Sequence, residues 1–457
     1  MYFRQIYIFI LAVSLLSTGC QSLATDPGNS TIGEVKSDEG LNYWGGAYND
    51  EGHAVVQTYD GGYAVAGTQY SSGTQYDLSL VTFNSSLVEQ SSKVMDFAIA
   101  TNDSLPNYAS DIQQTPDGGY ISVGSTFNGT DYDALVIKFN TSLDTVWTTS
   151  IGTEGSDDFG NSIGIMSSGN YLVCGTSYDA TNHDHDITVW GLTSAGTSTS
   201  PPIYAETNNG LHDYGNYAEQ TSDGGIIIIG TQGNDISLIK LISDGDGTFS
   251  ADASSCTGET GGGDASTTQA NCEDASVNGS AGTWYEGFST DGSLTTGTAN
   301  NDEGVYVQQL YDGSYIIVGN TQAGTGQQSN VYINTITSIG GAGTAVTMGG
   351  AYNDEVTCVR QTEDGGFIFT GSKYGQSTMK DVWVVKLNAA LAVHWNYTYG
   401  GDNNDHGQSI AQTYDGGYVV TGSTMSYGDQ SEIILLKLDS YGIVDDIIGD
   451  LSRTSGN

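Results

Sequence analysis

The chain has 457 residues, of which 53 are acidic and 11 are basic, so its formal net charge is −42. This balance argues against a nucleic-acid-binding protein, which needs a basic face to neutralise phosphates, and against direct docking on anionic lipid headgroups. Low hydrophobicity with high charge can indicate disorder, but the internal repeats of this chain argue against that for most of its length.

Residues 1–20 have the pattern of a signal sequence. Arg4 is followed by an apolar run of eleven residues, which is too short to span a membrane. The segment resembles a lipoprotein signal peptide, in which Cys20 is lipidated and becomes the mature N-terminus, although Ser17 stands where leucine is commonest. An ordinary secretory signal with an incidental cysteine is the alternative. Both place the protein outside the cytoplasm, and residues 21–39 are predicted to be a flexible tether.

One short phrase recurs through residues 40–440. The full form, Gln-Thr-x-Asp-Gly-Gly, occurs five times, and two degenerate copies stand at residues 167–171 and 311–315. The intervals between equivalent positions are 57, 51, 55, 89, 52 and 51 residues. The chain therefore contains seven units of similar length, with an insert at about residues 244–282 in the fourth. Asp244-Gly-Asp-Gly247 in this insert is a weak calcium-loop signal, and a flexible decoration is the other interpretation.

Each unit predicts four strands in a fixed order. In the last units, a strand at 407–413 leads into Asp-Gly-Gly, which is a strong hairpin signal, and a second strand follows at 418–423. A third strand, as at 381–387, and a fourth, as at 393–401, complete the unit. Seven such units predict an all-β, seven-bladed β-propeller with four antiparallel strands per blade, and a linear β-solenoid is the rival.

The two ends of the repeat region distinguish these architectures. The last unit lacks its fourth strand, and an equivalent aromatic-Gly-Gly element stands instead at residues 40–45. We therefore expect residues 40–45 to complete the last blade and close a ring, which a solenoid does not require. The C-terminal tail is predicted at 441–457.

These repeats resemble a group of secreted bacterial and archaeal proteins with the consensus Gln-Thr-x-Asp-Gly-Gly-Tyr…Tyr-Gly-Gly, which are distantly kelch-like. The resemblance implies an extracellular propeller, often anchored to lipid or cell wall. It implies no shared activity, because propellers support many unrelated functions.

Acidic residues recur just before the first strand of the units. Because first strands are innermost, these side chains are predicted to surround the mouth of the central channel. The positions are Asp50, Asn107, Asp158, Asp213, Asp302, Asp354 and Asp405. One interpretation is a ring that binds Ca²⁺ through carboxylate oxygens, and the other is that each aspartate fixes its own loop by accepting backbone N–H bonds. A second column before the third strands, which includes Asp133 and Asp186, is predicted on the same face.

Positions that break the repeat are the better candidates for function. His183 and His185, in a His-Asp-His-Asp loop of the third unit, are candidate transition-metal ligands, and a solvated loop is the alternative. Arg360 is a candidate ligand-binding residue in the channel, because small or apolar residues usually occupy its position. Tyr76 and Tyr132, in loops rich in Tyr, Asp and Asn, are candidates for sugar stacking.

Cysteines and lysines are assigned structural roles. Cys256 and Cys272 flank part of the insert and are predicted to form a disulfide, while Cys174 and Cys358 are predicted to be buried free thiols. Four lysines share one position in the third strands and are expected to pair with carboxylates of a neighbouring blade. They are Lys138, Lys240, Lys386 and Lys437.

The sequence therefore favours a surface-tethered binding or scaffold protein that presents an acidic loop face. Its partner is expected to be an extracellular polysaccharide or a surface protein, with Ca²⁺ as the candidate cofactor, and it meets the membrane only through the lipid anchor. The alternative is a carbohydrate-active enzyme, a polysaccharide lyase or glycosidase, against which the shortage of cations counts. A structural envelope protein that assembles with its own copies is a third interpretation.

Overall fold

A computed structural model describes residues 33–35, 41–45, 49–71, 75–95, 108–179, 183–199, 202–204, 212–243, 249–251, 255–257, 283–285, 293–298, 301–323, 328–350, 352–374, 379–428 and 430–444. Over these ranges the chain forms strands and turns without helices. Seven antiparallel sheets are arranged in a ring, which confirms the seven-bladed β-propeller. Within the same ranges, no helix is long and apolar enough to cross a membrane.

The strands follow the repeats. Two short strands come first, β1 (Gly33–Val35) and β2 (Leu41–Trp44). Blade 1 contains β3 to β6, which are Asp50–Gln57, Tyr63–Ser71, Gln75–Phe83 and Glu89–Met95. Blade 2 contains β7 to β10, which are Tyr108–Gln114, Tyr120–Phe127, Tyr132–Phe139 and Thr145–Ile151. Blade 3 contains β11 to β14, which are Asp158–Ile165, Tyr171–Asp179, Asp184–Leu192 and Ile203–Tyr204.

The remaining blades repeat this order. Blade 4 contains β15 to β18, which are Asp213–Gln220, Ile226–Gln232, Asp235–Ser243 and Phe249–Ala251. Three more strands follow it, β19 (Ser255–Thr257), β20 (Thr283–Tyr285) and β21 (Ser293–Thr296). Blade 5 contains β22 to β25, which are Asp302–Gln309, Tyr315–Ala323, Gln328–Ile336 and Ala342–Met348. Blade 6 contains β26 to β29, which are Asp354–Gln361, Phe367–Tyr374, Lys380–Leu387 and Val393–Tyr399. Blade 7 contains β30 to β32, which are Asp405–Gln412, Tyr418–Thr424 and Glu432–Leu438.

Blade 7 is completed by the N-terminal strand, as predicted. β2 pairs antiparallel with β32, from Leu41 opposite Leu436 to Trp44 opposite Ile433. The ring is therefore closed, and the solenoid interpretation is wrong. β1 adds a fifth, parallel strand to blade 6 by pairing with β29.

The outer edge of blade 4 is built from two separate pieces. β18 pairs with the end of β17, and β21 pairs with its beginning. The insert lies between these pieces, where β19 and β20 form a two-stranded sheet. Cys256 lies in β19, whereas Cys272 lies outside the described residues, so their disulfide stays a prediction.

The Asp-Gly-Gly phrase forms the hairpin turn between the first and second strands of a blade. Its first glycine has a positive φ, for example 77° at Gly365, which glycine adopts without strain. Its second glycine permits a close approach, because a Cβ on Gly366 would stand 2.3 Å from the carbonyl oxygen of Leu387 and 2.6 Å from Nζ of Lys386. The aspartate accepts hydrogen bonds from the second glycine's N–H and from the preceding threonine hydroxyl.

The four lysines pair with the turn aspartate of their own blade, so the expectation of pairs between neighbouring blades was wrong. The Nζ–Oδ2 distance is 2.9 Å in each pair. The pairs are Lys138–Asp117, Lys240–Asp223, Lys386–Asp364 and Lys437–Asp415. The antiparallel register explains this, since each lysine stands opposite the second residue of its blade's second strand, directly after the turn. In blades 3 and 5, where Asn170 and Ser314 replace the second glycine, Gly191 and Thr335 occupy the lysine position.

Glutamines of the repeat phrase connect adjacent blades. The side-chain oxygen of Gln114 in blade 2 accepts a bond of 2.7 Å from the N–H of Tyr59 in the blade 1 turn. Five further junctions have the same bond, including Tyr414 N–H to Gln57, which joins blade 7 to blade 1. At the junction of blades 2 and 3, Pro116 offers no N–H and Ile165 replaces the glutamine.

Every innermost strand has a β-bulge at the same place. The register shifts around the fourth residue of six of these strands, for example around Asn161 in β11 and Asn216 in β15, and around the third residue of the shorter β7, Ser110. A bulge leaves one residue out of the ladder and redirects its side chain. Apolar cores lie between successive blades, and one of them includes Ile121 of blade 2 and Val173 of blade 3.

Candidate functional site

The six aspartates predicted to form a cation ring are the first residues of the innermost strands, or column-one aspartates. They are Asp50, Asp158, Asp213, Asp302, Asp354 and Asp405, each between 0 and 3% exposed. Asn107 lies outside the described residues. Asp405 accepts hydrogen bonds from the N–H of Gly401 (2.9 Å) and from the hydroxyl of Ser426 (2.7 Å).

Four of the other five column-one aspartates use their oxygens in the same way. Asp50 accepts the N–H of Tyr70, and Asp213 accepts the N–H of Gly233. Asp158 accepts the N–H of Thr153, and Asp302 accepts the N–H of Thr298. Burial and the nearby carboxylate of Asp133 raise the pKa of Asp158 to about 6. These contacts favour the loop-fixing interpretation, and cation binding by the ring stays a prediction.

Three other carboxylates converge at the end of the β12–β13 hairpin. Asp179, Asp184 and Asp186 each place one oxygen within 4.8 Å of the others, and this acidic triad could hold a metal ion. Burial and the charges of Asp184, Asp179 and Asp213 raise the pKa of Asp186 to about 6. Among the described residues, no other group of three potential ligands meets the same distance.

The predicted histidine ligands have different neighbours. Nδ1 of His183 stands 3.3 Å from the hydroxyl of Tyr178. Nδ1 of His185 stands 3.1 Å from Nδ1 of His212, and its ring stacks on Tyr214 with the centroids 5.4 Å apart. The motif therefore contributes its aspartates to the acidic triad, while His185 joins an aromatic surface.

A cavity of about 740 Å³ opens on this face of the ring. Asn and Gln amides and Thr and Ser hydroxyls form much of its wall, among them the bulged residues Asn161 and Asn216. Phe159, His185 and Tyr214 add rings to the wall, and Tyr214 is 42% exposed. Asp302 and Glu303 are the carboxylates of the lining, which includes no lysine or arginine.

Aromatic pairs continue along the face from the cavity. In each pair, a ring at the start of a third strand contacts a ring at the start of the next blade's first strand. The pairs are Tyr76–Tyr108, Tyr132–Phe159 and His185–Tyr214, with centroids 6.1, 5.4 and 5.4 Å apart. We call these six residues the aromatic arc. The predicted ligand-binding residues Tyr76 and Tyr132 belong to it.

Arg360 lies in an innermost strand, as predicted, among residues of other blades. Its guanidinium carbon is 4.3 Å from the ring centroid of Tyr306. That ring packs on the ring of Tyr217, with the two centroids 3.9 Å apart. Burial raises the pKa of Glu219 to about 7 and that of Asp111 to about 6, although Arg360 acts on both in the opposite direction. Arg360, Tyr306, Tyr217, Glu219 and Asp111 form the channel cluster.

The two predicted free cysteines are confirmed as buried thiols. Cys174 and Cys358 are both unpaired, and burial raises the pKa of each to about 12. Neither thiol is therefore suited to act as a nucleophile near neutral pH. Cys20 lies outside the described residues.

Sequence reasoning missed several of these residues. Glu219 and Asp111 depart from the repeat pattern of the innermost strand just as Arg360 does, so the same signal was available for them. Asp179 offers no comparable signal, because its role depends on the length of the hairpin that folds it back onto Asp184.

Comparison with solved structures supports the fold. A puromycin hydrolase matches with a TM-score of 0.51 and 10% identity over 87% of this chain, which spans about half of that protein (53%). An ulvan lyase from a polysaccharide lyase family matches with a TM-score of 0.45 and 10% identity, over 86% of this chain and 96% of that one. The periplasmic gluconolactonase of Pseudomonas aeruginosa gives 0.44 and 9%, over 87% and 94%.

At 10% identity, the likeness to the puromycin hydrolase bears on the fold alone, and the two matches with TM-scores below 0.5 carry no argument. No protein-family model matches the sequence. No curated protein matches it either.

Proposed function

We propose that this propeller acts outside the cytoplasm, tethered through Cys20, and binds a neutral oligosaccharide or polysaccharide. The proposal is carried by the cavity of about 740 Å³, which combines amide and hydroxyl groups with the rings of Phe159, His185 and Tyr214. Sugar hydroxyls need hydrogen-bonding groups of this kind, while the apolar faces of sugar rings pack on aromatic side chains.

The aromatic arc supports an extended ligand. Tyr132 packs on Phe159 of the cavity wall, and Tyr76 packs on Tyr108 at the next junction. A chain of sugar units could therefore use a series of rings beside the cavity. A rigid platform of this kind loses little conformational entropy on binding.

The charge of the site favours a neutral ligand over a polyanion. The cavity lining contains two carboxylates and no lysine or arginine. A uronate or sulfate group would meet carboxylates without a counter-charge, which costs free energy. The proposal includes Ca²⁺-assisted binding, because the acidic triad borders the cavity through His185.

Substituting Tyr214 by alanine tests this proposal. We expect Tyr214→Ala to weaken binding of a neutral glycan about tenfold, because it removes one stacking platform worth about 1.4 kcal/mol. The measurement is isothermal titration calorimetry with neutral glucan, mannan, xylan and galactan fragments. Tyr311→Ala is the control, since this ring is also exposed but lies on a turn between the first and second strands, away from the cavity.

Two outcomes would contradict the proposal. One is that none of the four neutral glycans binds, and the other is that Tyr214→Ala binds as tightly as the unaltered protein. The enzymatic alternative, a polysaccharide lyase or glycosidase, is tested by incubating the protein with these neutral glycans and with a uronate-containing polysaccharide, because a lyase eliminates only at a uronate unit. That alternative is favoured by the raised pKa values of Glu219 and Asp111, since such shifts are common in acid–base sites. New reducing ends or unsaturated products that accumulate with time would establish it.

A further inference from the structure

The three carboxylates of the acidic triad come together at the end of the β12–β13 hairpin. Asp179 and Asp184 stand opposite each other at its end, where β12 pairs with β13. Asp186 is two residues beyond Asp184, so both side chains point to the same face of the strand. Their oxygens reach within 4.8 Å of one another, a spacing at which a single ion can contact all three residues.

The hydrogen-bonding state of the triad is an independent observation. Asp184 is 2% exposed, and neither of its carboxylate oxygens has a hydrogen-bond partner. Asp186 is 3% exposed, and its Oδ1 has no partner either. Burying carboxylates without partners is costly, whereas Asp405 on the same face has two donors at normal distances. A cation among the three residues would satisfy the orphaned oxygens.

We propose that Asp179, Asp184 and Asp186 bind one hard divalent cation, for which Ca²⁺ is the best fit. All three side chains offer oxygen, which hard cations prefer, and three carboxylates match a doubly charged ion. Ca²⁺ accepts six to eight oxygens in flexible geometry, so water can complete the shell at the partly exposed Asp179. Mg²⁺ demands a stricter octahedron, and direct competition between the two ions distinguishes them.

Cation binding at the acidic triad should also strengthen the glycan binding proposed above. Only this consequence rests on the proposed function. His185 lies between Asp184 and Asp186 in β13, so its ring points to the opposite side of the strand and forms part of the cavity wall. A cation that holds both neighbouring aspartates fixes the platform that His185 makes with Tyr214. We therefore expect bound Ca²⁺ to increase glycan affinity about tenfold.

The test begins with metal binding by the whole protein in the absence of any glycan. After treatment with EDTA and its removal, calcium titrated in a calorimeter should bind at one site that Asp184→Asn abolishes. Asp235→Asn is the matched control, because Asp235 has the place of Asp186 in the neighbouring blade but is exposed and outside the acidic triad. Asp179→Asn, at a partly exposed position, provides a second variant in case Asp184→Asn fails to fold.

Thermal melting gives a signature that a misfolded variant cannot imitate. With EDTA, Asp184→Asn should melt above the unaltered protein, because it removes one buried charge from a repulsive cluster. With 5 mM Ca²⁺ the order should reverse, since only the unaltered protein gains stability from binding. The proposal is overturned if the unaltered protein binds no divalent ion, or if Asp184→Asn binds Ca²⁺ with the same stoichiometry and affinity.

A last comparison separates this site from the proposed function. Glycan binding measured with EDTA tests the cavity by itself, and calcium binding measured without glycan tests the triad by itself. Tight Mg²⁺ binding that excludes Ca²⁺ would keep the triad as a cation site and overturn the choice of ion.

Discussion

Lys386 shows how a blade retains a charge in its interior. The side chain is 3% exposed, and its ammonium group donates to Asp364 and to the carbonyl of Leu387 at 3.0 Å. Burial raises the pKa of Asp364, but hydrogen bonds from Thr362 and Lys386 outweigh it and lower this pKa to about 2. Gly366 makes room for the ammonium group. The two adjacent glycines of the repeat therefore have separate roles. The first adopts the positive φ of the turn, and the second leaves space for the ammonium group of the lysine.

We expect Asp364→Ala to lower the free energy of unfolding by about 2 kcal/mol more than Asp60→Ala does, because it leaves a buried ammonium group without its carboxylate. Asp60 is a matched control, since it accepts the same bonds from Thr58 and Gly62 but has Thr82 rather than lysine opposite its turn. Urea denaturation of both variants measures the difference. Equal losses of stability would show that the ion pair contributes nothing beyond the turn.

Glu219 of the channel cluster makes the stability of the fold depend on pH. Burial raises its pKa from 4.5 to about 7, against the opposing effects of the hydrogen bond from the N–H of Gln309 and of the charge of Arg360. As pH rises above 4.5, the unfolded chain loses this proton first, so the folded state loses stability until the pH passes about 7. Asp111, whose pKa is also raised by burial, acts in the same direction.

Replacing Glu219 by glutamine should remove its share of this decline. We expect Glu219→Gln to be more stable than the unaltered protein at pH 8 and to differ less at pH 5, because the amide keeps the acceptor for Gln309 without the charge. Glu363→Gln, at an exposed turn position, is the control. Parallel stability curves for Glu219→Gln and the unaltered protein between pH 5 and 8 would contradict this expectation.

Contacts between neighbouring hairpins fix each blade against the next. Six junctions have the bond from a turn N–H to a repeat glutamine, and several of these glutamines also donate to their own turn, as Gln114 does to the carbonyl of Gly118. The seventh junction lacks both partners, since it has Pro116 as the turn residue and Ile165 as its neighbour. Donor and acceptor are thus absent together, so neither a turn N–H nor a glutamine oxygen lacks its usual partner there.

Restoring the missing bond should stabilise the junction of blades 2 and 3. In a double-mutant cycle, we expect Pro116→Ser and Ile165→Gln to show a favourable coupling of about 1 kcal/mol, because neither change alone can form the bond. Serine and glutamine are the residues found at the equivalent junction from Ser167 to Gln220. Free energies of unfolding for both single variants and the double variant give the coupling. A value of zero would show that the bond contributes no stability.

The ring itself could be predicted because its determinants are local and repeated. The Asp-Gly-Gly turn sets the first hairpin of five blades and its degenerate copies set that of the other two, and the displaced aromatic-Gly-Gly element identified β2 as the closing strand. Partners across the fold were harder to predict. Lys386 was assigned to a neighbouring blade because strand order alone does not show which residue stands beside a turn, whereas the register does.

The candidate site could be predicted only in part, for a related reason. Arg360, Tyr76 and Tyr132 were found as departures from the repeat or as loop aromatics. The column-one aspartates were expected to be available to a cation, and this stays a prediction. All six are buried, and several accept hydrogen bonds from loop groups, as Asp405 does from the N–H of Gly401. The acidic triad depends on a hairpin that brings Asp179 opposite Asp184, and two aspartates five positions apart in the sequence do not reveal this.

The pairing of β2 with β32 also affects the order in which the blades assemble. Residues 41–44 are synthesised early, yet their partner, residues 432–438, is made only after six blades. Contacts between such distant segments form slowly, because a long loop must close first. We therefore expect blade 7 to be the last to assemble. Until it does, β2 and the outer edge of β32 remain unpaired strands, which are the surfaces through which a newly made chain is most exposed to aggregation with its neighbours.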